Sequence, residues 1–386
     1  MYPLYQLLFA DHGLSATQIS TLFIIWSTTA FVLEVPSGAW ADIFSRRRLL
    51  VLGALLTGAG YAAWVLFPSY GGFAAGFVLW GAGSALASGT FEAFAYDELA
   101  ARGATERYAG LIGRATSASF VLNLAATALA APLFASGGYL LVGWISVLVC
   151  VIQAFVALCL PEAEPVASAD ETEEVTANQA NGVVGRYLAM LRSGLAEVAT
   201  VRLVRHAVIL VAIMSGFLAF DEYFPLLARD MGASTTIVPI LIAITVAAQA
   251  IGSALAGPAN RLRSGPIALG LAMAAGLIAI GSLSGSTAGF VPIALGYGGM
   301  QLVIVVADAR LQDAITGPAR ATVTSVSGLF SEVFAVGIYA GFALGGLWFG
   351  MPVLVAALTV PVVITAFLLP RWLPARSEEV VSPDSS

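Results

Sequence analysis

Eleven stretches of this chain are long and apolar enough to cross a bilayer, and nothing else in the sequence limits its fold so strongly. They run over 17–41, 49–67, 72–96, 111–135, 139–160, 206–228, 235–258, 266–283, 288–311, 322–344 and 352–369. A spanning helix needs about 20 mostly apolar residues, because roughly 30 Å of hydrocarbon is crossed at about 1.5 Å per residue. Inside hydrocarbon every backbone N–H and C=O must be satisfied within the segment, so these stretches are helices. A shorter apolar piece, 1–10, precedes them and cannot span by itself. Only 10% of the 386 residues are charged, against about 25% in soluble proteins. Lipid must therefore be the solvent for most of the chain, and the expected class is an all-α, multi-pass membrane protein.

The charges that remain carry the topology. All seventeen basic residues are arginine, and lysine is absent. Arg46, Arg47, Arg48, Arg102, Arg107, Arg186, Arg192, Arg202, Arg205, Arg261, Arg263, Arg320, Arg371 and Arg376 fall on one side, with Arg114 and Arg310 at its membrane edge; Arg229 alone lies opposite. The positive-inside rule makes the arginine side cytoplasmic. The absence of lysine excludes a Walker A phosphate loop and Schiff-base chemistry. The net charge of −6 leaves no basic stripe for nucleic acid. Cys150 and Cys159 share one apolar run, without metal-ligand spacing. His12 and His206 are on opposite sides, so no histidine-based metal site or dyad is expected. No cofactor and no enzyme activity are expected.

One hydrophilic segment divides the chain. It is acidic at first (Glu162, Glu164, Asp170, Glu171, Glu173, Glu174), then amphipathic, with Val184, Tyr187, Leu188, Leu191 and Leu195 at helical spacing. This reads as a disordered linker followed by a helix on the membrane surface. The expected organisation is an N-terminal bundle over 1–160, the cytoplasmic linker over 161–204, a C-terminal bundle over 205–370 and a cytoplasmic tail over 371–386.

The two bundles resemble each other. Glu92-Ala93-Phe94-Ala95-Tyr96-Asp97 recurs as Asp308-Ala309-Arg310-Leu311-Gln312-Asp313, 216 residues later. Tyr2-Pro3-Leu4 with Gly13 beyond matches Phe224-Pro225-Leu226 with Gly232 beyond, and 38–42 aligns with 256–260. The repeat implies two parallel halves of six helices. Tyr223 follows about seventeen membrane residues and Tyr2 only one, so the first helix is expected to be largely missing, by truncation or a misplaced start.

Two parallel six-helix halves with a long central linker resemble the major facilitator superfamily. The residues that carry the likeness are Gly38-Ala39-Trp40-Ala41-Asp42-Ile43-Phe44-Ser45-Arg46-Arg47-Arg48, similar to the family's signature Gly-x-x-x-Asp-Arg-x-Gly-Arg-Arg. Ile43 stands where that pattern has Arg, and Ser45 where it has Gly. The second copy is weaker, with Asn260-Arg261 in place of Asp-Arg. The resemblance implies a conformational latch made of Gly38, Asp42, Arg46, Arg47 and Arg48, with Asp42 contacting the start of the eleventh helix near 319–322 in the outward-open state. The alternative is that the three arginines simply hold the loop in the cytoplasm.

Charged residues inside spans are functional candidates, because inserting each costs about 2.5–3.5 kcal/mol. A carboxyl withdrawn from water can load and release a proton near neutral pH. Asp221, Glu222 and Glu332 are therefore candidates for ion coupling or substrate charge. Glu34, Glu92, Arg114, Asp308 and Arg310 are nearer the cytoplasmic edge and are candidates for ion pairs between helices. The bland alternative for all of them is a packing role without titration. Trp26, Trp80, Tyr223 and Tyr297 are candidates for a cavity lining; Trp64, Trp144, Trp348 and Trp372 are expected at the bilayer interfaces. Gly81, Gly83 and Gly89, and their counterparts Gly296, Gly298 and Gly299, are expected at helix contacts.

The expected function is secondary transport of a small solute by alternating access, by a monomer in the plasma membrane, with proton-coupled efflux of an amphipathic compound as the first mode. Uptake of a sugar or other metabolite is one alternative, and a sensor that kept the fold without transport is another.

Overall fold

The computed structural model describes residues 1–88, 90–161, 202–314 and 320–374; within 35–43, 320–325 and at 109 and 203, several are described by their backbone alone. The acidic linker and its amphipathic stretch thus lie outside the described residues, except for 161 and 202–204, as does the tail from 375. Thirteen α-helices are formed among the described residues. They are α1 (Tyr5–Asp11), α2 (Ala16–Ile43), α3 (Arg46–Leu66), α4 (Tyr70–Ala87), α5 (Thr90–Ala101), α6 (Tyr108–Leu158), α7 (Arg202–Phe217), α8 (Phe224–Asp230), α9 (Val238–Ala259), α10 (Ser264–Leu283), α11 (Phe290–Ala314), α12 (Arg320–Gly345) and α13 (Met351–Trp372).

Among the described residues, ten helical stretches have the length and hydropathy of a membrane span. One of them, Thr105–Leu158, is 54 residues long. It leaves helical geometry at Gly137 and at Gly138, whose φ is 59°, within the turn expected at 136–138. It therefore holds two crossings, and the total is the eleven read from the sequence.

Contacts divide the chain into two compact units. One contains Met1, Leu22–Ala126 and the described residues from 133 to 161; the other contains Tyr2–Thr21, Thr127–Pro132 and the described residues from 202 on. Chain order alone would have put Tyr2–Thr21 in the first bundle. They group with the second because polar contacts fasten them there: Thr17 Oγ1 donates to Ala343 O at 2.8 Å, and Asp11 pairs with Arg229 at 2.9 Å.

Helices in lipid gain nothing by hiding apolar surface from one another, so close backbone approach and polar contacts must hold them. Glycine supplies the approach. In the first unit a Cβ on Gly83 would lie 2.6 Å from Gly53 O, and one on Gly81 would lie 2.9 Å from Trp26 O. In the second, a Cβ on Gly298 would lie 2.5 Å from Ala248 O, and one on Gly296 would lie 2.5 Å from Ala274 O. The fourth span thus touches the second and third through glycine, and the tenth touches the eighth and ninth likewise. The repeat is visible at helix ends too. Gly13 and Gly232 have φ of 85° and 87°. Leu14 N donates to Phe9 O at 3.2 Å, and Ala233 N to Ala228 O at 2.9 Å. Both are Schellman caps, which need a residue that tolerates positive φ.

Gly298→Ala is expected to lower stability by about 1–3 kcal/mol, the usual range for overpacking, read as a lower thermal midpoint in detergent. Gly270→Ala is the control: its Cβ would meet nothing within 4 Å, and its midpoint is expected to stay put.

Trp64 departs from expectation. It is fully buried between α3 and α4, with Nε1 donating to Phe73 O at 3.0 Å. A buried indole needs a partner for its N–H, and this carbonyl supplies one, so the ring has no need of the headgroup region. Gly76 leaves the room: a Cβ there would lie 2.1 Å from that nitrogen. Trp64, Phe77, Trp80, Trp26 and Tyr61 together form the aromatic core of the first unit.

Candidate functional site

The seventh span is broken where its acids lie. α7 ends at Phe217, a 3₁₀ turn covers Leu218–Tyr223, and α8 begins at Phe224. Pro225 has no N–H with which to bond the carbonyl four residues back, that of Asp221, and its ring crowds that turn. The interruption leaves Asp221 and Glu222 consecutive on a tightened turn, so they project differently from residues of a regular helix. Interrupted membrane helices are common at binding sites for this reason.

Glu222 is buried. Its Oε2 accepts from Gln6 Nε2 at 2.8 Å and from the Tyr5 hydroxyl. Tyr5 and Gln6 are themselves wholly buried, and Gln6 Oε1 has no hydrogen-bond partner. Tyr297, from α11, donates to Leu218 O at 3.2 Å and lies beside Asp221. The Tyr223 hydroxyl donates to Ser20 Oγ at 2.7 Å, while its ring stacks on Phe342 with centroids 3.9 Å apart. Tyr2 and Tyr339 complete the surroundings of the acid pair. Among the described residues neither carboxyl has an arginine or histidine partner. Two acids are thus held by neutral donors alone.

Of the three coupling candidates, the structure brings Asp221 and Glu222 together. It leaves Glu332 exposed on α12, about two turns before Tyr339. Tyr5, Gln6, Ser20 and Tyr339 are missing from the sequence reading. The signal for Gln6 was present: it is the single amide in an otherwise apolar run, and polar groups at membrane depth are candidates by default.

The signature-loop candidates divide. Gly38 and Asp42 lie in α2 and are described there by their backbone alone. Ser45 caps α3 by accepting from Arg48 N at 3.3 Å, a role that glycine, as in the family pattern, could not fill with a side chain. Arg46 forms an ion pair with Asp97 of α5. Arg47 Nη1 donates to Leu160 O at 3.3 Å.

The intramembrane ion pairs expected from sequence do not assemble among the described residues. Glu92, Arg114 and Asp308 are exposed, and Glu34 accepts from Ser88 Oγ at 3.3 Å. Arg310 is buried, 3% exposed, and its described hydrogen bonds reach the end of α9 and the chain beyond α13. Its Nε donates to Asn260 Oδ1 at 2.9 Å, and Nη2 to Asn260 O at 3.0 Å and Leu262 O at 2.7 Å. Nη1 reaches Pro374 O at 3.4 Å. The reason is local: Arg310 lies against the C-terminal end of α9, where free carbonyls and the negative end of the helix dipole attract a cation.

An open groove of about 440 Å³ lies against α2, along Ile24, Ile25, Thr28, Thr29, Val32 and Leu33. This wall is aliphatic, with two hydroxyls and no charge. The Thr29 hydroxyl donates to Ile25 O at 2.7 Å.

Residues 1–333 match the sequence model described as the Major Facilitator Superfamily. No curated protein matches the chain by sequence. Among solved structures, the chain is similar to a bacterial homolog of the human lysosomal transporter Spinster in an inward-facing, unoccupied conformation (TM-score 0.73, 16% identity, 96% of this chain and 92% of that one). It is also similar to a D-xylose-proton symporter (TM-score 0.67, 16% identity, 96% and 92%) and to a nucleoside transporter (TM-score 0.70, 13% identity, 96% and 93%). At such identities the likeness establishes the fold.

Proposed function

The chain belongs to the Major Facilitator Superfamily, a family of transporters, and from that premise we propose that it exports a small amphipathic solute in exchange for protons. Asp221 and Glu222 carry the proton. The observation behind this is the acid pair itself: two adjacent carboxyls on a helix break, with tyrosine and amide donors around them and no described cation to fix either as an ion. Such a group can change its protonation state without breaking a salt bridge.

The groove wall on α2 supports the solute class. Ile24, Ile25, Val32 and Leu33 suit an apolar body, and Thr28 and Thr29 suit one or two polar groups. A sugar would call for many more polar contacts than this wall offers. The arginine-rich side is cytoplasmic in this reading, and the membrane is the plasma membrane.

The test is flux in proteoliposomes holding the purified full chain and a pH-sensitive dye in the lumen. With an imposed pH gradient, a radiolabelled amphipathic solute is expected to accumulate against its own gradient, with matching proton movement. Flux indifferent to the pH gradient, and unchanged in Asp221→Asn and Glu222→Gln, would overturn the proton reading.

A further inference from the structure

Besides the Thr17 bond to Ala343 O, residues Tyr2–Thr21 are fastened within the second unit at three further places. Asp11 pairs with Arg229, whose Nη2 also donates to Leu7 O at 3.1 Å. Ser20 receives the Tyr223 hydroxyl. Between these, Tyr5 and Gln6 both donate to the same oxygen of Glu222. The first two contacts join groups that need not change charge. The third joins the segment to a carboxyl that can.

Resting on the proton-coupled reading above, we infer that Tyr5 and Gln6 are positioning residues that hold Tyr2–Thr21 docked over Glu222 in both of its charge states, while proton occupancy of Glu222 sets how firmly the segment docks. Docked, the segment seals Glu222 from water with neutral groups only. Burying a carboxylate among neutral groups costs more than burying the neutral acid. Proton loading therefore favours docking, and loss of the proton favours release, which lets water reach the carboxylate. The reciprocal effect follows from linkage. Gln6 serves both charge states. Its amide N–H donates to a carboxylate, and its Oε1, which now lacks a partner, can accept the O–H of a protonated acid once the amide turns over. The other titratable groups facing Glu222 are Asp221 and Tyr223 beside it, Tyr2 and Tyr5 from the segment, Tyr297 from α11 and Tyr339 from α12, with Glu332 farther along α12. Tyrosines keep their protons between about pH 5 and 8.5, so the two aspartate and glutamate neighbours are the ones to control for.

Maleimide labelling of a cysteine at Leu8, a buried position on α1, reads docking without any substrate. The background is Cys150→Ser with Cys159→Ser, in nanodiscs. Labelling is expected to be slow at acid pH and faster at alkaline pH. The pH dependence is expected to vanish in Glu222→Gln and to persist in Asp221→Asn and Glu332→Gln. Tyr5→Phe and Gln6→Leu are expected to speed labelling by about tenfold at alkaline pH but only by about threefold at acid pH, because a hydrogen bond to a charged acceptor is the stronger one. A purely structural role would raise both rates by one factor, and that result would overturn the inference, as would pH dependence surviving in Glu222→Gln. Should Glu222→Gln not fold, the near-isosteric Tyr5→Phe still decides. Labelling that follows pH while flux ignores the pH gradient would sink the transport reading and leave this linkage standing. Gradient-driven flux with equal labelling at both pH values would do the reverse.

Discussion

Glu222→Gln is expected to leave a folded transporter that still exchanges solute across the membrane but no longer accumulates it. Gln has nearly the shape of Glu and can accept from Tyr5 and Gln6 through its own carbonyl, so packing at this buried position is retained. What it cannot do is take up and give back a proton. Uphill accumulation driven by a pH gradient is expected to fall by about tenfold or more, the ratio matching about 1.4 kcal/mol of lost coupling. Solute-for-solute exchange in the absence of a gradient should change little, because no net proton movement is required. The two assays run on the same proteoliposome batch. Equal loss in both would show that the side chain serves the solute or the fold, and full activity in both would remove Glu222 from the proton path.

Arg310→Met is expected to have the largest effect on stability. The guanidinium holds three acceptors within 3.0 Å, two on Asn260 and one on Leu262, and reaches toward Pro374. Leaving a buried acceptor unmet costs about 1–3 kcal/mol. Water at the helix end recovers part of that, so the net loss is about 3 kcal/mol or more. For a unit of this size the thermal midpoint should fall on the order of 5–10 °C. Arg310→Lys keeps the charge but loses the fork that spans several acceptors at once, and should recover less than half of the loss. Differential scanning fluorimetry in detergent is the measurement. An unshifted midpoint in Arg310→Met would mean that the end of α9 and the chain beyond α13 hold without this brace.

Much of the architecture could be read without coordinates, and the reason is the solvent. Hydrocarbon forces each crossing to be one unbroken apolar run, so eleven spans and the turn at Gly137–Gly138 stand out in a linear string. Glycine leaves a similar trace. Gly13 and Gly232 mark the same cap in both halves, and Gly81 and Gly298 the same close approach, because no larger residue fits those backbones. Contacts between distant side chains leave no trace of that kind. Gln6 and Glu222 are 216 residues apart, and nothing periodic connects them. The supposed partners of Arg310 were chosen because they were charged and lay near the same membrane edge. The structure turned instead to carbonyls, which every residue has and no sequence pattern distinguishes. Trp64 was misplaced for a related reason: its satisfying partner is a backbone oxygen.

The turn inside α6 has a consequence for how the protein is made. Only Gly137 and Gly138 depart from helix there, so the chain reverses with almost no polypeptide to spare. With so little tether between them, the two arms are expected to enter the bilayer as a helical hairpin.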